Sequence, residues 1–223
     1  MHAAEATTAK EHESRVGILS SELFSTKQRI LGAAEVLFAR HGFAGASLRQ
    51  VTSAANVNLA AVNYHFGSKE NLINEVFRRR LDELNAQRLQ ALNTARGRAD
   101  FTLEAALAAF VRPALALSGD DQGGAAFVRV LARAYAENNE RLRQFLHDHY
   151  AHVLKQFASA FGELLPHLDK QELYWRLDIV SGALTYAMAD FGMIKRRSVS
   201  AEQHRDITAE HLIKFAAAGL RAT

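Results

Sequence analysis

Between Thr26 and Leu72 the sequence TKQRILGAAEVLFARHGFAGASLRQVTSAANVNLAAVNYHFGSKENL carries three helix signatures and the start of a fourth, separated by residues able to reverse the backbone. That confines the stretch to a tight cluster of short helices. Ile30, Leu31, Ala34, Leu37 and Phe38 recur at i, i+3/i+4, i+7, so a first helix has one apolar stripe, with Lys27, Arg29, Glu35 and Arg40 largely off it. Ser25 followed by Gln28 has the form of a capping box, and Gly42 supplies a residue that can take the left-handed conformation that ends a helix. A second, short helix opens at Ser47 with Gln50 as its capping partner and turns Leu48, Val51 and Ala55 inward. Asn56 interrupts it, and Asn tolerates the left-handed backbone that a tight turn between two crossing helices requires. A third helix follows from about Asn58 to Phe66. This is the pattern of a helix-turn-helix.

An α-helix fits the major groove of B-DNA, where base edges display a distinct donor and acceptor code. Asn58, Asn63 and His65 are therefore candidate base readers, and Leu59, Ala60 and Ala61 belong to the same contact surface, the alanines leaving little bulk where a groove approaches. Tyr64 offers a hydroxyl to a phosphate, and Ser68, as cap of the next helix, leaves N–H groups and Lys69 for the same purpose. Ser47 and Arg49 at the start of the second helix complete the candidate set, although a plain solvated face accounts equally well for Arg49. A small bundle with Phe38, Phe43, Val51, Val62 and Phe66 as core is the bland alternative. Both readings hold for those five, but only the DNA-facing one gives Tyr64 and Lys69 a role.

The runs ILGAAEVLFARHGF, SLRQV and ANVNLAAVNYHFGSKENL together resemble the TetR family of bacterial transcriptional repressors, almost without interruption from Thr26 to Leu72. Two positions depart from the commonest pattern: many members have Gly where Asn56 stands and Tyr where Asn63 stands. The first is sterically equivalent, and the second implies a different operator sequence. The resemblance implies an all-α fold, with a helix-turn-helix head and a larger helical body that binds an effector and dimerises.

With 223 residues, 48% of them apolar, the chain can bury a sizeable core. The expected division is a disordered tail over 1–24, a DNA-binding head over 25–72 and an effector-binding and dimerisation body over 73–223. The formal net charge is only +3, so any basic character must be local, and from Thr26 to Lys69 basic residues outnumber acidic ones. The tail's mixed charge makes it a bystander rather than an extra DNA arm. The lack of cysteine excludes disulfides and a thiol switch and fits a reducing cytoplasm. No apolar run approaches the length of a membrane span, and the first residues are too polar for a signal peptide. P-loop, G-x-G-x-x-G, H-E-x-x-H and G-x-S-x-G motifs are all absent, so the expectation is a regulator without cofactor rather than an enzyme.

Beyond Leu72 the pattern stays helical. Val76, Phe77, Leu81, Leu84 and Leu92 extend the helix begun at Ser68 to about Ala95 as a connector, followed by segments at Phe101–Leu117, Ala125–Asn138, Glu140–Leu165, Gln171–Ile194 and Ala201–Leu220. Pro113 is expected to kink the first of these. Leu173, Leu177, Val180, Leu184, Ala187 and Phe191 form a seam, and Leu212, Phe215, Ala216 and Gly219 line the last helix. Such seams serve packing within one chain or between two. The family resemblance implies the latter, a homodimer through the last two long helices that reads a palindromic operator of double-stranded DNA.

Phe110, Phe127, Tyr135, Phe157, Trp175 and Tyr186, with Arg129 and Arg133 one turn apart, are the candidate lining of a cavity for a small apolar or amphipathic effector. Ordinary surface pairing of Arg133 with Glu137 is the competing reading. The runs AFVRVLARAY, LRQFLHDHY and YWRLDIVSGALTYAMA, with NLAAVNYHFGSK, resemble the PsrA-like subgroup of the family, which implies a fatty-acid or acyl-coenzyme A effector and control of lipid metabolism; the alternatives are a regulator of efflux that responds to a xenobiotic or aromatic compound and a helical interaction module without operator binding. His147, His149 and His152 invite a metal reading, but no further ligand follows at a recognisable spacing, so an exposed helical face is expected there.

Overall fold

A computed structural model describes residues 25–120, 123–137, 139–189 and 199–222; the tail over 1–24, Phe191 and the end of the helix expected to reach Ile194 lie outside these. Among the described residues there are nine α-helices and no strand: α1 (Thr26–Gly45), α2 (Leu48–Ala55), α3 (Leu59–Phe66), α4 (Lys69–Arg96), α5 (Leu103–Ser118), α6 (Gly124–Ala136), α7 (Glu140–Leu164), α8 (Lys170–Met188) and α9 (Ala201–Arg221). The protein is all-α, in two compact units that divide between Val76 and Phe77.

In the first unit the local stop and start signals set the helix limits. Ser25 Oγ accepts from the Gln28 N–H at 3.2 Å while the Ser25 N–H donates to Gln28 Oε1 at 3.0 Å, which satisfies two of the first-turn donors of α1. Ser47 and Gln50 repeat the arrangement at α2. Gly42, expected to end α1, interrupts it instead: at φ 74° it re-aims one further turn, so that Phe43 is buried against Phe38 with ring centroids 5.7 Å apart. Glu35 also departs from expectation. It is buried, whereas the periodicity placed it off the apolar stripe. Ile30, Phe38, Val51 and Val62 are essentially inaccessible, and each contributes about 1.5–3 kcal/mol through burial.

In the second unit α5 is the centre, packed against α6, α7, α8 and α9. Its composition explains this: Ala106, Ala109 and Ala114 are buried and short enough to let neighbouring backbones approach, while Leu107, Phe110 and Leu115 fill the gaps between them. The helix continues through Pro113, which leaves the Ala109 carbonyl without its intrahelical donor. Arg221 at the end of α9 clamps Glu104 at the start of α5 with two hydrogen bonds of 2.5 and 2.8 Å. The seam expected to meet a partner is corrected here. Leu173, Val180 and Leu184 are buried in this chain's own core, with Leu177 and Ala187 packed against it, because α5, α7 and α9 claim that face of α8.

Candidate functional site

The α2–α3 turn rests on Asn56, which takes the left-handed backbone at φ 51° and ψ 54°. Asn58 then caps α3, its Oδ1 accepting from the Ala61 N–H at 2.8 Å. Its carbonyl oxygen is thus committed to the helix, which leaves its amide hydrogens facing outward for any base contact. The buried side of α3 consists of Val62 and Phe66. The remainder is outward: Asn58, Ala60 and Asn63 are exposed, Leu59 is 43% and Tyr64 86% exposed, and Ala61 and His65 are half-buried. A tyrosine left so open on a short helix has no packing role to explain it. Ser47 and Arg49 are exposed at the start of α2.

The junction from α3 to α4 is built by residues of three kinds. Gly67 ends α3 at φ 73°, a conformation that other residues rarely adopt. Ser68 Oγ accepts from the Asn71 N–H at 3.1 Å, and the Asn71 side-chain amide donates back to the Phe66 carbonyl at 3.0 Å. Lys69 Nζ lies 3.5 Å from the Ala44 carbonyl, at the end of α1. The result is a fixed helix N-terminus with a lysine beside it, the geometry that receives a phosphate. Asn71 was missed from the sequence. Its spacing from Ser68 is that of a capping partner, but an Asn side chain that reaches back past the cap to the preceding helix follows no local rule.

The candidate effector residues are not brought to one place. Phe110 and Phe157 meet edge to face at 5.1 Å in the core of the second unit, and Phe127 packs against Phe77 at 5.6 Å. Arg129 and Tyr135 are exposed, and Arg133 lies 4.0 Å from Glu137. Trp175 and Tyr186 are 62% and 48% exposed on the outer face of α8, with Ile179 (64%) between them. Trp175, Ile179, Gly182 and Tyr186 follow one another at helical spacing and form a stripe opposite the buried seam. On α9, Ile207 and the 71%-exposed Phe215 are also open to solvent and help line a cavity of about 580 Å³ with Val199, His211 and Leu212. Arg88, absent from the candidate set, stands on α4 one turn after buried Leu84 and one before buried Leu92. Its place in an apolar stripe was the signal. On α7, His149 Nδ1 sits 2.9 Å from the Phe145 carbonyl and Nε2 3.2 Å from Arg78. Among the described residues no group of three or more His, Cys, Asp or Glu is placed to hold a metal ion. Nor, among them, is any helix long and apolar enough to cross a membrane.

A capped α3 presenting polar and aromatic side chains after a left-handed asparagine turn defines the helix-turn-helix class. Two family models match, "Bacterial regulatory proteins, tetR family" over residues 30–76 and "Tetracyclin repressor-like, C-terminal domain" over residues 108–219. The chain belongs to the TetR family. Among curated relatives it is 39% identical over 57 residues to the probable HTH-type transcriptional regulator YttP of Bacillus subtilis, covering 24% of this chain and 28% of that protein. It is 42% identical over 48 residues to the HTH-type transcriptional repressor AcnR of Corynebacterium glutamicum, covering 22% and 26%. These matches span about a quarter of each relative. Among solved structures, a putative tetR family regulator from Shewanella sp. PV-4 aligns with TM-score 0.62 and 18% identity over 88% of this chain and 96% of that one. AibR in complex with isovaleryl coenzyme A and operator DNA aligns with TM-score 0.58 and 17% identity over 85% and 98%. At these identities the structural likeness speaks for the fold.

Proposed function

We propose that the protein is a ligand-responsive transcriptional repressor that binds a palindromic operator as a homodimer and leaves it when a small effector occupies the helical body. The observation that carries the reading is the outward face of α3, where Asn63 and the 86%-exposed Tyr64 stand beside the Ser68–Lys69 helix terminus. In the proposed division of labour, residues 25–72 read DNA and 73–223 bind the effector and the partner subunit. Asn63, His65 and the Asn58 amide read base edges, Tyr64, Ser68 and Lys69 hold phosphates, and Ser47 and Arg49 flank them. The Trp175–Ile179–Tyr186 stripe of α8 and Phe215 of α9 form the dimer face. An effector that favours one spacing of the two recognition helices over the other shifts the population away from the operator-bound state. The protein acts in the cytoplasm.

For the effector, a fatty acid or acyl-coenzyme A is the favoured class, supported by the subgroup resemblance and by AibR, whose complex contains an acyl-coenzyme A and DNA. A regulator of efflux answering to an aromatic compound is the second reading, favoured by the Phe110–Phe157 pair in the body. A gel-shift competition on DNA upstream of the protein's own gene separates them. Release by palmitoyl-coenzyme A but not by bulky aromatic drugs supports the first, and the reverse supports the second. Indifference to both overturns the two effector assignments together.

A further inference from the structure

The body contains a half-buried cation that no acid among the described residues pairs with. Arg88 is half-buried on α4, with its Nε donating to the Phe110 carbonyl at 2.9 Å, its Nη1 3.5 Å from Asn85 Oδ1 and its guanidinium carbon 4.1 Å above the Phe110 ring. Nε and Nη1 are so occupied; among the described residues no carboxylate lies within ion-pair distance, and the other N–H donors meet no protein acceptor. Other arginines of the unit do have acids: Arg80 holds Asp120 at 2.8 Å, Arg96 holds Glu163 and Arg176 holds Glu172. Burial lowers the Arg88 pKa to about 10, an effect that Tyr135 partly offsets, so the guanidinium remains charged at neutral pH. A charged group withdrawn from water without a counter-charge is costly, and a guanidinium seated on an aromatic ring presents its free edge to a planar anion.

We propose that Arg88 is the anion-recognising residue of the effector site and that the effector is an organic anion, a carboxylate or similar planar group on an apolar body. The proposal deepens the ligand-responsive reading and rests on it. The stacked ring and the Phe110 carbonyl fix the plane of the guanidinium before the ligand arrives, so little rotamer entropy remains to be lost on binding. The apolar body follows from what surrounds the cation: Phe110, backed by Phe157 at 5.1 Å, with Leu84 and Leu92 a turn away on either side of Arg88 along α4. Arg88 lies on α4, the helix whose first turn carries Lys69.

The test is isothermal titration of the full chain with two matched pairs, decanoate against decanol and 2-naphthoate against 2-naphthol, in wild type, Arg88→Met and Arg88→Lys. At least one anion is expected to bind wild type about thirtyfold or more tightly than its alcohol, and that advantage to collapse to about threefold or less in Arg88→Met. The melting temperature of ligand-free Arg88→Met is expected to equal or exceed that of wild type, since an uncompensated cation has been removed. Wild type that does not distinguish anion from alcohol in either pair overturns the proposal, as does an advantage that survives in Arg88→Met. Should Arg88→Met fail to fold, Arg88→Lys decides: it keeps the charge but loses the fork, and anion binding unchanged from wild type overturns the assignment. Specific DNA binding by ligand-free wild type, measured separately, fails only if the regulator reading fails, so the two losses are distinguishable.

Discussion

At the residue scale the proposed DNA face divides into side chains assigned to position and side chains assigned to specify. Lys69 beside the α4 N-terminus belongs to the first kind, so Lys69→Ala is expected to weaken binding to all sequences and to lower the slope of log K against log salt by about one. A slope equal to wild type's removes Lys69 from the phosphate contacts. Asn63 belongs to the second kind, and Asn63→Ala is expected to cost about 1–3 kcal/mol on the preferred operator and much less on variants of one base pair, read by competition binding. A uniform loss contradicts base reading there. In the body, Gly124 is a packing constraint. A Cβ placed on it would lie 1.8 Å from the Leu117 carbonyl oxygen, so the backbone has to move in Gly124→Ala. A loss of about 1–3 kcal/mol in urea unfolding is expected.

At the element scale what the chain declares locally is what the sequence makes legible. The caps at Ser25, Ser47 and Ser68 and the turn at Asn56 stand where the residue types demand, because each obeys a rule spanning three or four residues. The faces of α8 were not legible in that way. Leu173, Val180 and Leu184 on one side and Trp175, Ile179 and Tyr186 on the other are both apolar at helical spacing, and periodicity does not say which side the chain keeps for itself. Glu35 and Arg88 were misjudged or missed for a related reason: a charge reads as surface until its surroundings are known. The outer face of α8 and α9 leads to a prediction. Phe215→Glu, which places a charge on that surface without touching the core, is expected to turn a dimeric mass into a monomeric one in light scattering at micromolar concentration. A monomeric wild type contradicts the dimer.

The α5–α9 clamp is an element-scale contact with a pH signature. The Arg221 hydrogen bonds hold the Glu104 carboxyl below its ordinary value. A folded pKa below the unfolded one means the pair's contribution is present above the unfolded value and is lost as pH falls through the folded one. Glu104→Gln is therefore expected to flatten the acid side of a melting-temperature profile and to leave the slope around pH 7 to 8 unchanged. An acid slope identical to wild type's removes the clamp from the account.

At the scale of the whole molecule, the head and the body are joined in one chain by α4, which begins at Lys69 and ends at Arg96. The family assignment made this architecture readable from the sequence, because the head's motif spans consecutive residues. The effector region was not readable, since Phe110, Phe127, Trp175 and Tyr186 were grouped by residue type and the fold sends them to different places. Whether the α3 face reads DNA is settled by equilibrium binding of the full chain to DNA upstream of its own gene, titrated with salt against a scrambled duplex. A specific complex at least about a thousandfold tighter than the scrambled one is expected, with log K falling linearly and steeply as log salt rises. Equal affinity for both duplexes at every salt concentration would contradict it.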